Sequence, residues 1–480
     1  MLHSGIRRVI PPLLLREPVL GFAVIWTIVI WLAYGGGTPY MDGAIDFVKV
    51  MDYHSGGFDQ LFAHWMSDHP PLKVWLSSMS FHLFGVTARS YSFPGAVFFA
   101  IGVIAFHQLL VKIADVRTAR IGALLLACDP LFNSIAQFTM TDLMVAALSL
   151  TSFAAYAHQR WRIWLAAMIG AVMAKETAAL LPAAFILQWL LGWLVARHAG
   201  APRPEWRKLL LPIAALGTLA AWIVSLKLQG RPEWSDWIFA PTGNQLGAFG
   251  TIMANIRTGE LWNDYAVQNW LHLFVLNFQW VYTLAALFLI SGSLWHWFHR
   301  KDDEAAVTPA LFATPWPAML LFGSGYALLV LTFQTYTITR YVTPAAVLLL
   351  VPATMAISRW LDRSGALRPL LLSLGVALMV VRMFWSVDPV SIRIWGREMV
   401  MGQTLYGVNR QLAGNDGLTY NMQFQRIIAG RTRLLDEARQ STGPVRAPDC
   451  NWVFPDPRND KQVTAILGYI PPGTDPTCQP

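Results

Sequence analysis

Long apolar runs recur along this chain, and they limit what it can fold into more than any other feature. A helix needs roughly 20 apolar residues to cross about 30 Å of hydrocarbon. Runs of that kind lie at about 17–34, 92–111, 120–137, 142–158, 162–174, 177–196, 209–228, 270–295, 316–334, 341–358 and 370–386. Only 13% of the 480 residues are charged, about half of the roughly 25% usual in soluble chains. The sequence therefore predicts an all-α polytopic membrane protein with about eleven transmembrane helices. Residues 1–386 form its membrane domain and 387–480 a smaller extramembrane one.

Orientation follows from the basic residues, because short loops rich in Lys and Arg stay in the cytoplasm. With the amino terminus inside, seventeen basic residues fall on the cytoplasmic side, Arg7, Arg117, Arg207 and Lys208 among them, and eight on the other side before the tail. The net charge of +8 is then a matter of membrane orientation and gives no reason to invoke a nucleic-acid partner. The first run has a long apolar core followed by AYGGGTPY, a poor cleavage site, and reads as a retained anchor rather than a signal peptide.

In this frame the stretch MSDHPPLKVW, Met66 to Trp75, lies in an outer loop spanning about residues 35–91. Phe58, Leu61, Phe62 and Trp65 recur at helical spacing, and Leu72, Trp75, Leu76 and Met79 repeat the pattern. Two interfacial helices joined at Pro70 and Pro71 are expected. The loop carries Asp42, Asp46, Asp52, Asp59 and Asp68 with His54, His64 and His69. Asp142, Lys175, Glu176, Lys227, Arg340 and Arg382 all fall at the outer ends of spans. Charges at membrane depth are costly and normally line a cavity or pair with one another, so one polar site beneath the outer loop is expected. Blander readings stand beside this one. HPPL is also a plain corner, Asp142 a helix cap, Lys175 and Glu176 a local ion pair, and Arg340 an interfacial anchor beside Tyr341. Asp42 and Asp46, at i and i+4, leave a divalent metal open as a cofactor, although no HExxH motif occurs. There is neither a GxxxxGK loop nor a GxGxxG fingerprint, which speaks against a soluble nucleotide donor.

Four motifs in order resemble one family. They are Asp42 in MDGAIDF; Asp68-His69-Pro70-Pro71-Leu72 with Lys73; Pro130 followed by Thr141-Asp142 and then AKETA with Lys175; and RYVTP from Arg340 to Pro344. The set resembles the GT-C fold glycosyltransferases that use polyprenyl-phosphate sugars, in the branch of protein O-mannosyltransferases and aminoarabinose transferases. Asp-Gly stands here where that family usually has Asp-Glu, and His69 where the aminoarabinose branch has Lys. The resemblance implies an integral membrane glycosyltransferase of the bacterial inner membrane, with its site facing the periplasm or cell exterior. Its partners would be a polyprenyl-phosphate-linked sugar donor, a glycan, lipid or protein acceptor, and the bilayer. In such a reaction a carboxylate takes the acceptor proton and cations stabilise charge on the departing phosphate. The family position makes Asp42 the base, with Asp68 sharing that role or orienting the acceptor. Arg340 is the first choice for the phosphate, since a guanidinium suits bidentate contact. Lys175 comes next, His69 and Lys73 support it, and Asp142, Glu176 and Tyr341 complete the expected substrate-binding set. Unlike lysine, histidine loses its charge near neutrality, so phosphate contact through His69 predicts activity that falls with rising pH. A transporter or flippase of a lipid-linked anion would also gather charge in the membrane. It would place its site near the midplane and often show internal repeats. A non-catalytic assembly subunit is the other alternative.

After residue 387 the composition shifts to stretches such as GNDGLTYN and VFPDPRND, which predict a small outer α/β domain. Cys128 lies in a span as packing, and a disulfide between Cys450 and Cys478 is expected in an oxidising compartment.

Overall fold

The computed structural model of the chain describes residues 17–37, 42–56, 69–199, 204–228, 264–276, 278–299, 311–332, 339–385, 388–400 and 403–406, with a few isolated positions besides. The described residues are overwhelmingly helical, in the order α1 (Pro18–Tyr34), α2 (Asp42–Gly56), α3 (Leu72–Phe84), α4 (Ala88–Ile113), α5 (Val116–Ala127), α6 (Pro130–Gln137), α7 (Thr141–Ala157) and α8 (Trp161–Ala174). A 3₁₀ turn, Glu176–Ala179, leads into α9 (Leu180–Ala199) and α10 (Arg207–Leu228). There follow α11 (Asp264–Phe274), α12 (Gln279–His299), α13 (Trp316–Thr332), a second 3₁₀ turn at Thr339–Val342, α14 (Thr343–Arg363), α15 (Arg368–Phe384) and α16 (Pro389–Trp395).

Local chemistry sets the helix starts. The Thr87 hydroxyl accepts from the Ser90 N–H while Ser90 reaches back to the Thr87 N–H, a capping box that opens α4. Asp115 caps α5 through the Thr118 N–H. Asp129 caps α6 through the Phe132 N–H, with Pro130 as its first helical residue. This last pair corrects the expected run at 120–137. Proline has no N–H to continue the helix, and α5 and α6 meet at a 53° bend. The expected span at 270–295 is also broken, into α11 and α12. Between them Phe278 takes a φ of 65°, and Asp388 accepts from the Phe278 N–H at 3.1 Å and the Trp280 indole at 3.1 Å.

Among the described residues five helices are long and apolar enough to cross a membrane, six if the bent pair counts as one span. Five further apolar helices, including α1, α7 and α8, are shorter. These lengths do not establish the expected eleven crossings.

The core lies where α4, α5, α6, α7 and α14 pack together, around Phe99, Phe106, Phe132, Leu143, Leu150 and Val351, all at most 1% exposed. Close approach of α4 to α6 depends on missing side chains. A Cβ on Gly95 would lie 2.0 Å from the Ala136 carbonyl oxygen, and one on Gly102 would lie 2.6 Å from the Phe132 ring. Small residues at such crossings let membrane helices pack backbone to backbone.

In the outer loop α2 packs on α3. Phe47 meets the rings of Phe81 and Tyr91 edge-on at 5.5 and 5.3 Å. The helix expected around 58–65 lies outside the described residues, whereas α2 was not anticipated as a packed element. After α16 an antiparallel hairpin, β1 (Arg397–Val400) and β2 (Gln403–Tyr406), pairs Arg397 with Tyr406. Further on, the Met422 N–H donates to the Met383 carbonyl of α15. Little more of the tail is described, so the α/β domain over 387–480 stays an expectation, and Cys450 and Cys478 lie outside the described residues.

Candidate active site

Helices α7 and α8 are antiparallel and joined by a tight turn at 158–160, where Gln159 takes a φ of 57°. Asp142, in the first turn of α7, and Lys175, just past the end of α8, are equally far from that turn, so the hairpin register sets them side by side. The Lys175 ammonium donates to Asp142 Oδ1 at 2.7 Å. Across the bundle, the turn at Thr339–Val342 brings Arg340 Nε to 3.6 Å from Asp142 Oδ2. Tyr341 lies beneath both cations, its ring centroid 3.9 Å from Lys175 Nζ and 5.4 Å from the guanidinium carbon. Thr343 fixes the turn by donating to the Arg340 carbonyl at 2.6 Å. The side chains of Asp142, Lys175 and Arg340 are 1%, 4% and 5% exposed, so they lie in a dry interior.

The row continues outward. Glu176, next in sequence to Lys175, accepts from His69 Nδ1 at 3.0 Å, and its neighbour Thr177 is 3.2 Å from the Tyr326 hydroxyl. Beyond His69, Lys73 in the first turn of α3 forms an ion pair with Asp46 of α2, with Lys49 3.8 Å from the same carboxylate. Burial works against the charge of Asp46, but Lys73, Lys49 and His69 outweigh it and hold the carboxyl below its ordinary value. Burial also disfavours the Lys73 ammonium, yet the Asp46 charge pushes its pKa above the usual lysine value. Side-chain exposure is 12% at Glu176 and highest, 27%, at His69; beyond it Lys73 is 4% exposed and Asp46 15%.

Among the described side chains the row thus holds four permanent cations, Lys49, Lys73, Lys175 and Arg340, against three carboxylates, Asp46, Asp142 and Glu176, with His69 able to add a further charge. Buried cations that lie close to a more open position at His69 suit an anionic group that enters there. Ion pairs at the other ends of α5 and α14 are different in kind. Arg117 and Asp362 meet at 2.6 Å but are 41% and 44% exposed, where a pair contributes little.

Several expectations can be placed against this geometry. His69, Lys73, Asp142, Lys175, Glu176, Arg340 and Tyr341 all lie in the row. Asp42 opens α2, one helical turn before Asp46, and its side chain lies outside the described residues, as do Asp68 and the side chain of Lys227. Arg382 was expected to join the same site, and here the expectation needs correcting. Its guanidinium is 3.5 Å from Asp129 Oδ2 and donates to the Tyr282 hydroxyl at 3.0 Å. It forms a second buried cluster, of which Asp129 and Tyr282 line a small cavity together with Thr343. Sequence reasoning overlooked Asp46 as a site residue and Asp129 altogether. The Asp-Pro step of CDPLFN is a helix-start signal that would have singled out Asp129. Nothing in the sequence pairs Asp46 with Lys73, which lies across a loop. No group of three or more His, Cys, Asp or Glu side chains among the described residues is arranged to hold a metal ion.

With this arrangement in hand, known proteins add context. Residues 68–228 match the family of dolichyl-phosphate-mannose-protein mannosyltransferases, a segment that runs from Asp68 through Asp142 and Lys175. No curated protein sequence matches the chain. Among solved structures, ArnT from Cupriavidus metallidurans bound to undecaprenyl phosphate superposes with a TM-score of 0.52 at 13% identity, covering 94% of this chain and 85% of that one. The archaeal oligosaccharyltransferase AglB from Archaeoglobus fulgidus, in complex with an inhibitory peptide and a dolichol-phosphate, gives a TM-score of 0.50 at 11% identity over 95% of this chain. The same archaeal enzyme tethered to an acceptor peptide gives 0.51 at 13% identity. This chain spans 60% of the archaeal protein's length. The fold over nearly the whole chain is therefore that of the GT-C proteins, and a third of the sequence carries the mannosyltransferase pattern across its buried ion pairs.

Proposed function

We propose that the protein transfers a sugar, with inversion, from a polyprenyl phosphate to an acceptor hydroxyl at the periplasmic face of a bacterial inner membrane. ArnT holds undecaprenyl phosphate and the archaeal relative dolichol phosphate, which supports a donor of the same kind here. The acceptor oxygen attacks the anomeric carbon, the bond from that carbon to the phosphate oxygen breaks, and the polyprenyl phosphate leaves with the electron pair. Asp42 takes the acceptor proton, and Asp68 orients the acceptor or shares that role. Arg340 and Lys175 meet the charge that develops on the departing phosphate, where the dry surroundings strengthen each interaction. His69 and Lys73 guide the headgroup in at the more open position, while Asp142, Glu176 and Tyr341 hold the cations in place.

The observation that carries this reading is the Lys175–Asp142–Arg340 cluster, which joins three elements distant in sequence at one end of the bundle. The basic bias of the loops at the opposite end supports the periplasmic placement. Mass spectrometry of lipids that copurify with the protein tests the donor. A polyprenyl phosphate bearing a sugar is the expected result, and its absence from active preparations would refute the donor assignment. Asp42→Asn is expected to retain that lipid and lose transfer, and a fully active Asp42→Asn enzyme would remove Asp42 as the base.

A further inference from the structure

A second crevice opens at the far end of α7. Tyr156 follows Asp142 by fourteen positions, about 21 Å along the helix at 1.5 Å per residue, so this crevice is separate from the ion-pair row. It is lined chiefly by Tyr156, Trp164, Phe185, Gln188, Trp189 and Lys208. Its volume of about 170 Å³ is smaller than a typical drug-sized site, room for part of a longer molecule that extends out of the mouth.

The walls are aromatic. Trp164 meets Tyr156 at 5.3 Å and Phe185 at 4.9 Å, and Tyr156 meets Phe185 at 5.1 Å. Most polar atoms in the lining already have protein partners. Gln188 Nε2 donates to the Tyr156 hydroxyl and to the Phe312 and Thr314 carbonyls, and its Oε1 accepts from the Ala318 N–H. The Trp189 indole donates to the Glu205 carbonyl. Trp164 differs: it is 2% exposed, and its indole N–H has no acceptor among the described residues. A buried donor of this kind normally finds a partner, and Trp164 is one of the residues that line the crevice.

At the mouth, Lys208 pairs with Glu205 at 3.3 Å, but the two side chains are 34% and 69% exposed, so an incoming anion can displace that contact cheaply. Arg160, Arg207 and Arg197 belong to the same helix ends. Leu191, Leu194, Trp206 and Leu210 flank the crevice on α9, α10 and the segment between them, and all are exposed, as a lipid-facing surface would be.

We propose that this crevice binds an anionic glycerophospholipid of the leaflet on that side. Its phosphate rests on Lys208, an ester oxygen accepts from the Trp164 indole, and an acyl chain lies along the aromatic wall. The two polar contacts are separate, which suits a molecule with an acceptor below its charged headgroup. A plain detergent tail offers neither.

Native mass spectrometry of the full-length protein tests this directly, after incubation with equal amounts of phosphatidylglycerol and phosphatidylethanolamine. The wild type is expected to retain phosphatidylglycerol preferentially. Lys208→Gln should lower that retention about fivefold, equivalent to roughly 1 kcal/mol for one basic residue at an anionic surface. Trp164→Phe keeps the ring and removes only the donor, and should cost about the same for one hydrogen bond. Lys175→Met, at the distant ion-pair row, should leave it unchanged. Equal retention of the two lipids, retention unchanged in Lys208→Gln and Trp164→Phe, or occupancy of the crevice by a polyprenyl phosphate instead would each overturn the proposal. Lys208 is at the surface, so Lys208→Gln reports on the site even if Trp164→Phe fails to fold.

Discussion

Asp142 sits between two buried cations, and its removal makes a quantitative test of the ion-pair row. At an effective dielectric of about 20, the attraction across 2.7 Å to Lys175 is about 6 kcal/mol and that across 3.6 Å to Arg340 about 5 kcal/mol. Desolvation of three charges in a dry interior offsets most of this, so the net contribution of the intact cluster is small. Removing one partner is a different matter, because the uncompensated charges stay buried. Asp142→Asn should therefore cost about 3–5 kcal/mol. Lys175→Met should cost less, since Asp142 keeps Arg340 as a counter-ion. In the double variant Lys175 is gone along with the carboxylate it paired with, so it no longer adds a buried charge beside Arg340, and the two losses should not add. A coupling energy of roughly 2–3 kcal/mol is expected from the cycle. Thermal unfolding in detergent, followed by intrinsic fluorescence of all four proteins, measures it. Additive losses, or an Asp142→Asn protein as stable as the wild type, would show that the three side chains do not share one dry site.

Two further outcomes follow from the fold. Gly95→Ala places a methyl group 2.0 Å from the Ala136 carbonyl oxygen, a clash with backbone that no rotamer relieves. It should cost at least 1–3 kcal/mol, visible as poor yield or a lowered melting temperature, whereas Gly217→Ala, whose added methyl meets nothing, should be neutral or stabilising. The docking of α2 on α3 should depend on acid but not on mild alkali. The Asp46 carboxyl is held below its ordinary value, so its contribution is complete above the unfolded pKa of about 3.9 and is lost as pH falls through the lower folded value. The raised Lys73 pKa keeps the pair charged through neutral and mildly basic pH. Hydrogen exchange over residues 42–56 should thus be slow from about pH 5 upward, and fast at every pH in Asp46→Asn; protection unaltered by that substitution would exclude the pair as the clamp.

Helix positions were legible because the bilayer demands long apolar runs, and the observed helices start and stop within a few residues of most of them. The two breaks were less so. Hydropathy averages across a kink, and only the Asp129-Pro130 step marked the first; the second depends on Asp388, more than a hundred residues away, holding the Phe278 and Trp280 N–H groups. The charged residues at span ends were visible as costly exceptions in an apolar chain, and Asp142 with Lys175 could be paired from hairpin register alone. Arg382 had the same signature, yet it belongs to another cluster. Depth along a helix can be read from sequence, whereas the direction a side chain faces is fixed by which helices are neighbours.

The difference in exposure between His69 and the inner cations bears on how the proposed reaction divides its labour. A charge near water is screened and can bind an anion without holding it strongly, while one in a dry site stabilises charge far more and costs more to keep. His69 is 27% exposed, and Lys175 and Arg340 are 4% and 5% exposed. In the proposed reaction a lipid phosphate drawn inward from His69 would lose its own hydration as it approached the two cations. Asp142 pairs with both cations, and in the proposed reaction it would also limit how tightly they hold the product phosphate. A site built from cations alone would bind a departing polyprenyl phosphate too well to release it; on the proposed reading the shared carboxylate would leave an attraction strong enough for charge that develops in the transition state and weak enough for turnover.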